Sequence, residues 1–95
     1  MTKNDIFIFL KAHKDEMMQS YGLTEIGLFG SYAKGEADED SDIDIVIKSN
    51  KKDFFIREDL REYLEKHLQK SVDVGYIDSF RQYYKTRIEK DVIYV

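Results

Sequence analysis

The sequence predicts an α/β or α+β fold, a small β-sheet with helices packed on it. Three observations carry this. Apolar residues recur at helical spacing over residues 3 to about 20 and again over 53 to about 70. Apolar and polar residues alternate with a period of two over 42–48 and 71–77, the mark of strands with one buried face. Short polar or glycine-bearing breaks separate these stretches. The order that results is α-β-α-β-α-β-α-β, without internal repeats or low-complexity segments.

The first helix is expected from residue 3 to about 20, with Ile6, Phe9, Leu10, His13 and Met17 on one stripe, Phe7 and Met18 widening it, and Ile8 pointing away. Thr2 or Asn4 is placed to cap its start, and Tyr21-Gly22 ends it. Leu23–Phe29 reads as a strand. Gly30-Ser31 breaks it, and a short helix runs from Ser31 to about Lys34. Asp40-Ser41 is a turn. In the strand over 42–48, Ile43, Ile45 and Ile47 share one face and Asp42, Asp44 and Val46 the other.

Residues 49–52 are a polar connector. The helix from Asp53 to about Lys70 carries Ile56, Leu60, Tyr63, Leu64 and His67 on one face. In the strand over 71–77, Val72, Val74 and Tyr76 face one way, Asp73 and Gly75 the other. Asp78 or Ser79 caps a last helix to about Lys90 that buries Phe80, Tyr84 and Ile88. Residues 92–95 close the chain as an edge strand.

The 95 residues correspond to one small domain, 1–95. There is no cysteine, which excludes disulfides and thiolate metal sites, so any metal takes oxygen or histidine ligands. The net charge of −4 argues against a direct nucleic-acid binder, which needs a basic face. The apolar run IFIFL is too short for a targeting signal, and no run approaches the roughly 20 apolar residues of a membrane span. A cytoplasmic protein without a membrane partner is expected.

Chemistry concentrates between Gly30 and Ile47, GSYAKGEADEDSDIDIVI. Six acidic residues, Glu36, Asp38, Glu39, Asp40, Asp42 and Asp44, fall between Gly35 and Ile47 with no Lys or Arg among them. Such a density of like charge calls for solvent or a cation. Asp42 and Asp44 project side by side from one strand face, and hard oxygen ligands at this spacing suit Mg²⁺. Asp73 is placed in the same way on the next strand. If those strands pair, three carboxylates converge, a set able to bridge two metals about 3.5–4 Å apart for phosphoryl or nucleotidyl transfer. Gly30-Ser31, at a strand end and helix start, offers backbone N–H groups to a phosphate. Lys34, one turn on, adds a positive charge. A Gly-Ser pair or an Asp-x-Asp strand is common by itself; their conjunction carries the reading. His13 and His67, on or beside apolar helix faces, read as packing residues. Tyr83 and Tyr84 read as core and rim, or as a partner surface.

Gly30-Ser31, ten residues, then Asp42-Ile43-Asp44 resembles the G-S-x10-D-x-D signature of the DNA polymerase β-like nucleotidyltransferase superfamily. The length and the ending RIEKDVIYV look most like its minimal nucleotidyltransferase (MNT) group, and Asp73 in SVDVGYI matches the third carboxylate. The resemblance covers nearly the whole chain. It implies a nucleotidyltransferase fold with a mixed sheet flanked by helices. Asp42, Asp44 and Asp73 would be catalytic residues holding two Mg²⁺ ions. Gly30 and Ser31 would cradle the triphosphate of ATP. It also implies an antitoxin that moves AMP from ATP onto a tyrosine of a cognate HEPN-domain ribonuclease toxin, in a hetero-oligomer with it. Two other functions are kept beside this one, an antitoxin that masks its toxin without catalysis and an adenylyltransferase of small molecules such as antibiotics.

Overall fold

A computed structural model describes residues 1–95. Helices α1 (Lys3–Ala12) and α2 (Lys14–Tyr21) lead into strand β1 (Leu23–Phe29), the short helix α3 (Gly30–Lys34), strand β2 (Ile43–Ser49), helix α4 (Phe54–Leu68) and strand β3 (Val72–Tyr76). A 3₁₀ turn (Ile77–Ser79), helix α5 (Gln82–Asp91) and strand β4 (Ile93–Tyr94) complete the chain. The sheet order is β3-β2-β1-β4. β2 runs parallel to β3 and antiparallel to β1, and β4 pairs antiparallel with β1, so the sheet is mixed as expected.

One face of the sheet is the core. Ile43, Ile45 and Ile47 of β2, Ile26 and Leu28 of β1, and Val72 and Tyr76 of β3 pack with Ile6, Leu10 and Met17 of α1 and α2 and with Leu60, Leu64 and Leu68 of α4. The period of two in the strands and the helical spacing of these aliphatics meet on one surface, which is why the expected fold class is the one observed. Leu64 is fully buried. Leu64→Ala is expected to cost about 2–4 kcal/mol through the cavity it leaves, read as a lower midpoint in chemical denaturation.

Local signals explain the helix ends. The Thr2 hydroxyl accepts from the Asp5 N–H at 3.2 Å while the Asp5 carboxylate accepts from the Thr2 N–H at 2.8 Å, a reciprocal capping box. Asp53 caps α4 through the N–H groups of Phe55 and Ile56. Gly22, at φ 65°, ends α2 in the left-handed conformation.

Four expectations are corrected. The first helix is two, divided at His13 (φ −108°, ψ 9°). There the imidazole turns onto Phe9, 4.4 Å between ring centres, and joins a cluster with His67 and Tyr63. On α4 the buried line is Leu60, Leu64 and Leu68, while His67 is exposed. Val46, which the alternation places with the acidic face, is fully buried, so that face is covered over part of its area. Phe80 lies on this face, its ring 3.0 Å from where a Cβ on Gly75, the register partner of Val46, would be. Finally, neither Asp78 nor Ser79 caps the last helix. Both lie in the 3₁₀ turn, and α5 starts at Gln82 with no side-chain cap. It buries none of its residues, and Tyr84 is 56% exposed. α5 lies against α3.

Candidate active site

The second face of the sheet is apolar at one end and acidic at the other. Phe80 covers Gly75, whose register partner is the buried Val46. One pleat back along the same face, Asp44 of β2 stands opposite Asp73 of β3, as direct partners in the parallel ladder. Asp42 lies two residues before Asp44, just outside β2. The Ile43 N–H donates to the Ser71 carbonyl at 2.9 Å and ties the start of β2 to the start of β3. The two strands that carry the three carboxylates are therefore locked in register where those carboxylates project.

Asp42 and Asp73 are exposed and Asp44 is partly buried. Burial, then the charge of Asp73, then that of Asp42 push the Asp44 carboxyl up to about 6. No three carboxylate or imidazole side chains stand close enough together to form a ready ligand set. Burial first, and the charges of Asp73 and Asp42 with it, disfavour the ionised form of Asp44. The donor set still fits a hard divalent cation. It is all oxygen, it is held on two paired strands, and a cation between the carboxylates would reverse the repulsion.

The other half of the site is built on β1. Phe29 is the β1 partner of Asp44, so the residue that follows, Gly30, starts α3 directly beside that carboxylate. Gly30 has φ 74°, and a Cβ there would collide with the Asp44 carboxyl oxygen and lie 2.9 Å from its Cγ. Only glycine satisfies both conditions. Ser31 is the second residue of α3, so its N–H belongs to the first turn, which has no intrahelical acceptors. Tyr32 and Ala33 are buried in the core and anchor this short helix, and Gly35 closes it in the left-handed conformation.

The acidic loop sorts into two groups. Asp38 organises its own turn, accepting from the Asp40 N–H at 2.9 Å and the Ser41 hydroxyl at 3.2 Å. Lys70 donates to the Glu39 carbonyl at 3.1 Å. Asp38 to Asp40 thus belong to the loop's architecture, whereas Asp42 and Asp44 face the site. Lys34, expected at a phosphate, is engaged by Asp91 of α5 at 3.6 Å. Both line a cavity of about 250 Å³ with Gly30, Tyr84 and Arg87. The sequence reading passed over Arg87, since a lone arginine on an amphipathic helix carries no local signal. A larger cavity, about 480 Å³, lies on the other side of α3 between Tyr32, Lys70 and the chain start. Neither Asp44 nor Asp73 lines it, and the chemistry is placed by the carboxylates rather than by cavity size.

The family description "Nucleotidyltransferase domain" matches residues 10–95. The chain belongs to the nucleotidyltransferase family. This nucleotidyltransferase is 38% identical over 96 residues to the protein adenylyltransferase MntA of Thermococcus cleftensis, covering 100% of this chain and 97% of that protein. It is 42% identical over 98 residues to a Methanocaldococcus jannaschii protein provisionally named a protein adenylyltransferase, covering 99% and 98% of the two chains. In fold, the nucleotidyltransferase superposes with a TM-score of 0.84 on a solved structure provisionally described as a minimal nucleotidyltransferase, at 23% identity over 98% of this chain and 95% of that one. It also superposes, with a TM-score of 0.65 and 22% identity, on a chain from a complex of tri-AMPylated Shewanella oneidensis HEPN toxin with its MNT antitoxin, covering 97% of this chain and 66% of that one. The fold is that of the minimal nucleotidyltransferases, and the enzyme class is nucleotidyl transfer.

Proposed function

We propose that this nucleotidyltransferase moves AMP from ATP, bound as its magnesium complex, to a tyrosine hydroxyl of a cognate HEPN-domain ribonuclease toxin, and acts in the cytoplasm as that toxin's antitoxin in a hetero-oligomer with it. The observation that carries the reading is the facing of Asp44 and Asp73 across one ladder step, with Gly30 held open beside Asp44. Identity of 38% to a protein adenylyltransferase along the full chain supports the acceptor class. Two Mg²⁺ ions, held by Asp42, Asp44 and Asp73, would neutralise the phosphate charge that develops in transfer.

The chain's own residues account for the rest. The N–H groups of Gly30 and Ser31 receive the triphosphate, aided by the Lys34 ammonium. Asp42 and Asp44 would hold the cation charge that offsets the charge of the α-phosphate beside the acceptor. The tyrosine oxygen forms a bond to the α-phosphorus as the bond from that phosphorus to the bridging oxygen breaks, and pyrophosphate leaves with the electron pair. Asp73, which is exposed, accepts the phenolic proton and passes it to water.

The test is label transfer from ATP labelled at the α-phosphate, with Mg²⁺ and the co-purified partner as acceptor, beside Asp42→Asn. Wild type should label one partner band; Asp42→Asn, or wild type in EDTA, should not. Mg²⁺ is also expected to stabilise the wild-type fold, by about 2.7 kcal/mol at a hundred times its dissociation constant. A partner that co-purifies, stays unlabelled and is still neutralised would replace this reading with inhibition by masking.

A further inference from the structure

Gly30 has two neighbourhoods. The Asp44 carboxylate is one; the other is the cavity of about 250 Å³ that Gly30 lines with Lys34 of α3, Arg87 of α5 and Asp91. One glycine thus borders both the carboxylate and a wall that carries two cations. The cavity is below the roughly 300–1,000 Å³ of a typical small-molecule pocket, so it is too small for a whole nucleotide and of a size for phosphate groups.

We propose that Arg87, together with Lys34, forms the wall that receives the polyphosphate tail of the nucleoside triphosphate, and that Asp91 holds Lys34 aside until the phosphates displace it. This rests on the nucleotidyl-transfer reading and deepens it by adding a residue that the sequence motif does not contain. Arg87 is exposed and contacts Tyr83 one turn before it on α5. Its Nη1 donates to the Tyr83 hydroxyl at 3.0 Å, and its guanidinium carbon lies 5.7 Å from the Tyr83 ring centre. A guanidinium carries five donors in a fixed fork, so one bond to Tyr83 leaves others for a planar, two-pronged grip on phosphate. The Lys34–Asp91 pair is long, at 3.6 Å, and both side chains are close to half exposed. A pair of that kind holds weakly, and a polyphosphate with several charges outcompetes one carboxylate for the ammonium.

The experiment is titration calorimetry on the full chain without acceptor, with two probes, Mg-ATP and inorganic tripolyphosphate with Mg²⁺. Arg87→Gln should weaken both about tenfold, and Arg87→Lys should recover part of the loss, since charge returns without the fork. Asp91→Asn should tighten both, by up to about fivefold, because Lys34 no longer has to be freed. Lys90→Gln removes the same unit of charge from an exposed neighbouring position outside the cavity and should change neither. Wild-type affinity in Arg87→Gln, or a weaker Asp91→Asn, would overturn the wall while leaving AMP transfer standing. Loss of Mg-ATP binding with tripolyphosphate binding intact would place Arg87 at the nucleoside and also overturn it. A wild type that binds neither probe and transfers no AMP would remove the functional reading and the wall with it.

Discussion

Asp44→Asn is expected to lower AMP transfer by about 10²–10³-fold, the rate equivalent of several kcal/mol of lost charge stabilisation. The same substitution should make the metal-free protein more stable. The two effects have one cause. Asp44 is partly buried beside Asp73 and Asp42, and its carboxyl is raised from 3.8 to about 6. For a raised carboxyl the sign is fixed. The neutral form favours the folded chain, so the stability it contributes is complete below about pH 4 and is lost as pH rises through about 6. At pH 7 without metal, the ionised Asp44 should cost on the order of 1–2 kcal/mol after allowance for solvent screening. Asp5 and Asp78 are lowered instead, by the Thr2 cap and by Lys85, and their stability is lost as pH falls. Comparing wild type with Asp44→Asn cancels those terms. Thermal melts of both proteins in EDTA from pH 3 to 8 should therefore coincide at the acid end, separate between about pH 4 and 6 and stay apart above that, with Asp44→Asn the more stable. A mutant less stable than wild type at pH 7 would mean that Asp44 is a structural residue, and would remove the argument that it waits for a cation.

Gly30→Ala is the second large effect, and its comparison is built into the fold. Gly22 and Gly30 have nearly the same left-handed backbone, φ 65° and 74°. A Cβ on Gly22 meets nothing within 4 Å, whereas a Cβ on Gly30 runs into the Asp44 carboxylate. Gly22→Ala should therefore show only the left-handed penalty, about 1 kcal/mol of stability, with transfer unchanged. Gly30→Ala pays that penalty and also displaces Asp44 from its place opposite Asp73. Displacing a group that positions the reactants costs about 10²-fold in rate, read as a fall in kcat beside a melting midpoint lowered at least as much as in Gly22→Ala. Equal activities in the two variants would show that Gly30 serves only the turn.

Much of the site was legible because its signals are local. Asp42 and Asp44 announce themselves by alternation against Ile43, Ile45 and Ile47, and Asp73 by its place between Val72 and Val74, because a strand's period of two assigns faces without knowledge of its neighbours. Gly30 is legible as a strand end. The Thr2 cap and the Leu23–Phe29 boundaries follow in the same way from residues in contact along the chain.

What the sequence by itself determined, then, is the order of strands and helices, the Leu23–Phe29 strand, which strand face is acidic, and the family signature from Gly30 to Asp44. The tertiary structure alone decided the parallel pairing that sets Asp44 opposite Asp73, the burial of Val46, the packing of Phe80 on Gly75, the break at His13, the exposure of Tyr84, and the meeting of Lys34, Arg87 and Asp91 beside Gly30. The physical reason is range. Periodicity and capping are set by atoms a few residues apart, whereas register and helix docking are set by how whole faces compete to bury the same apolar surface. That competition places Arg87 of α5 next to Gly30 across more than fifty positions of chain, with nothing in either local sequence to announce the other.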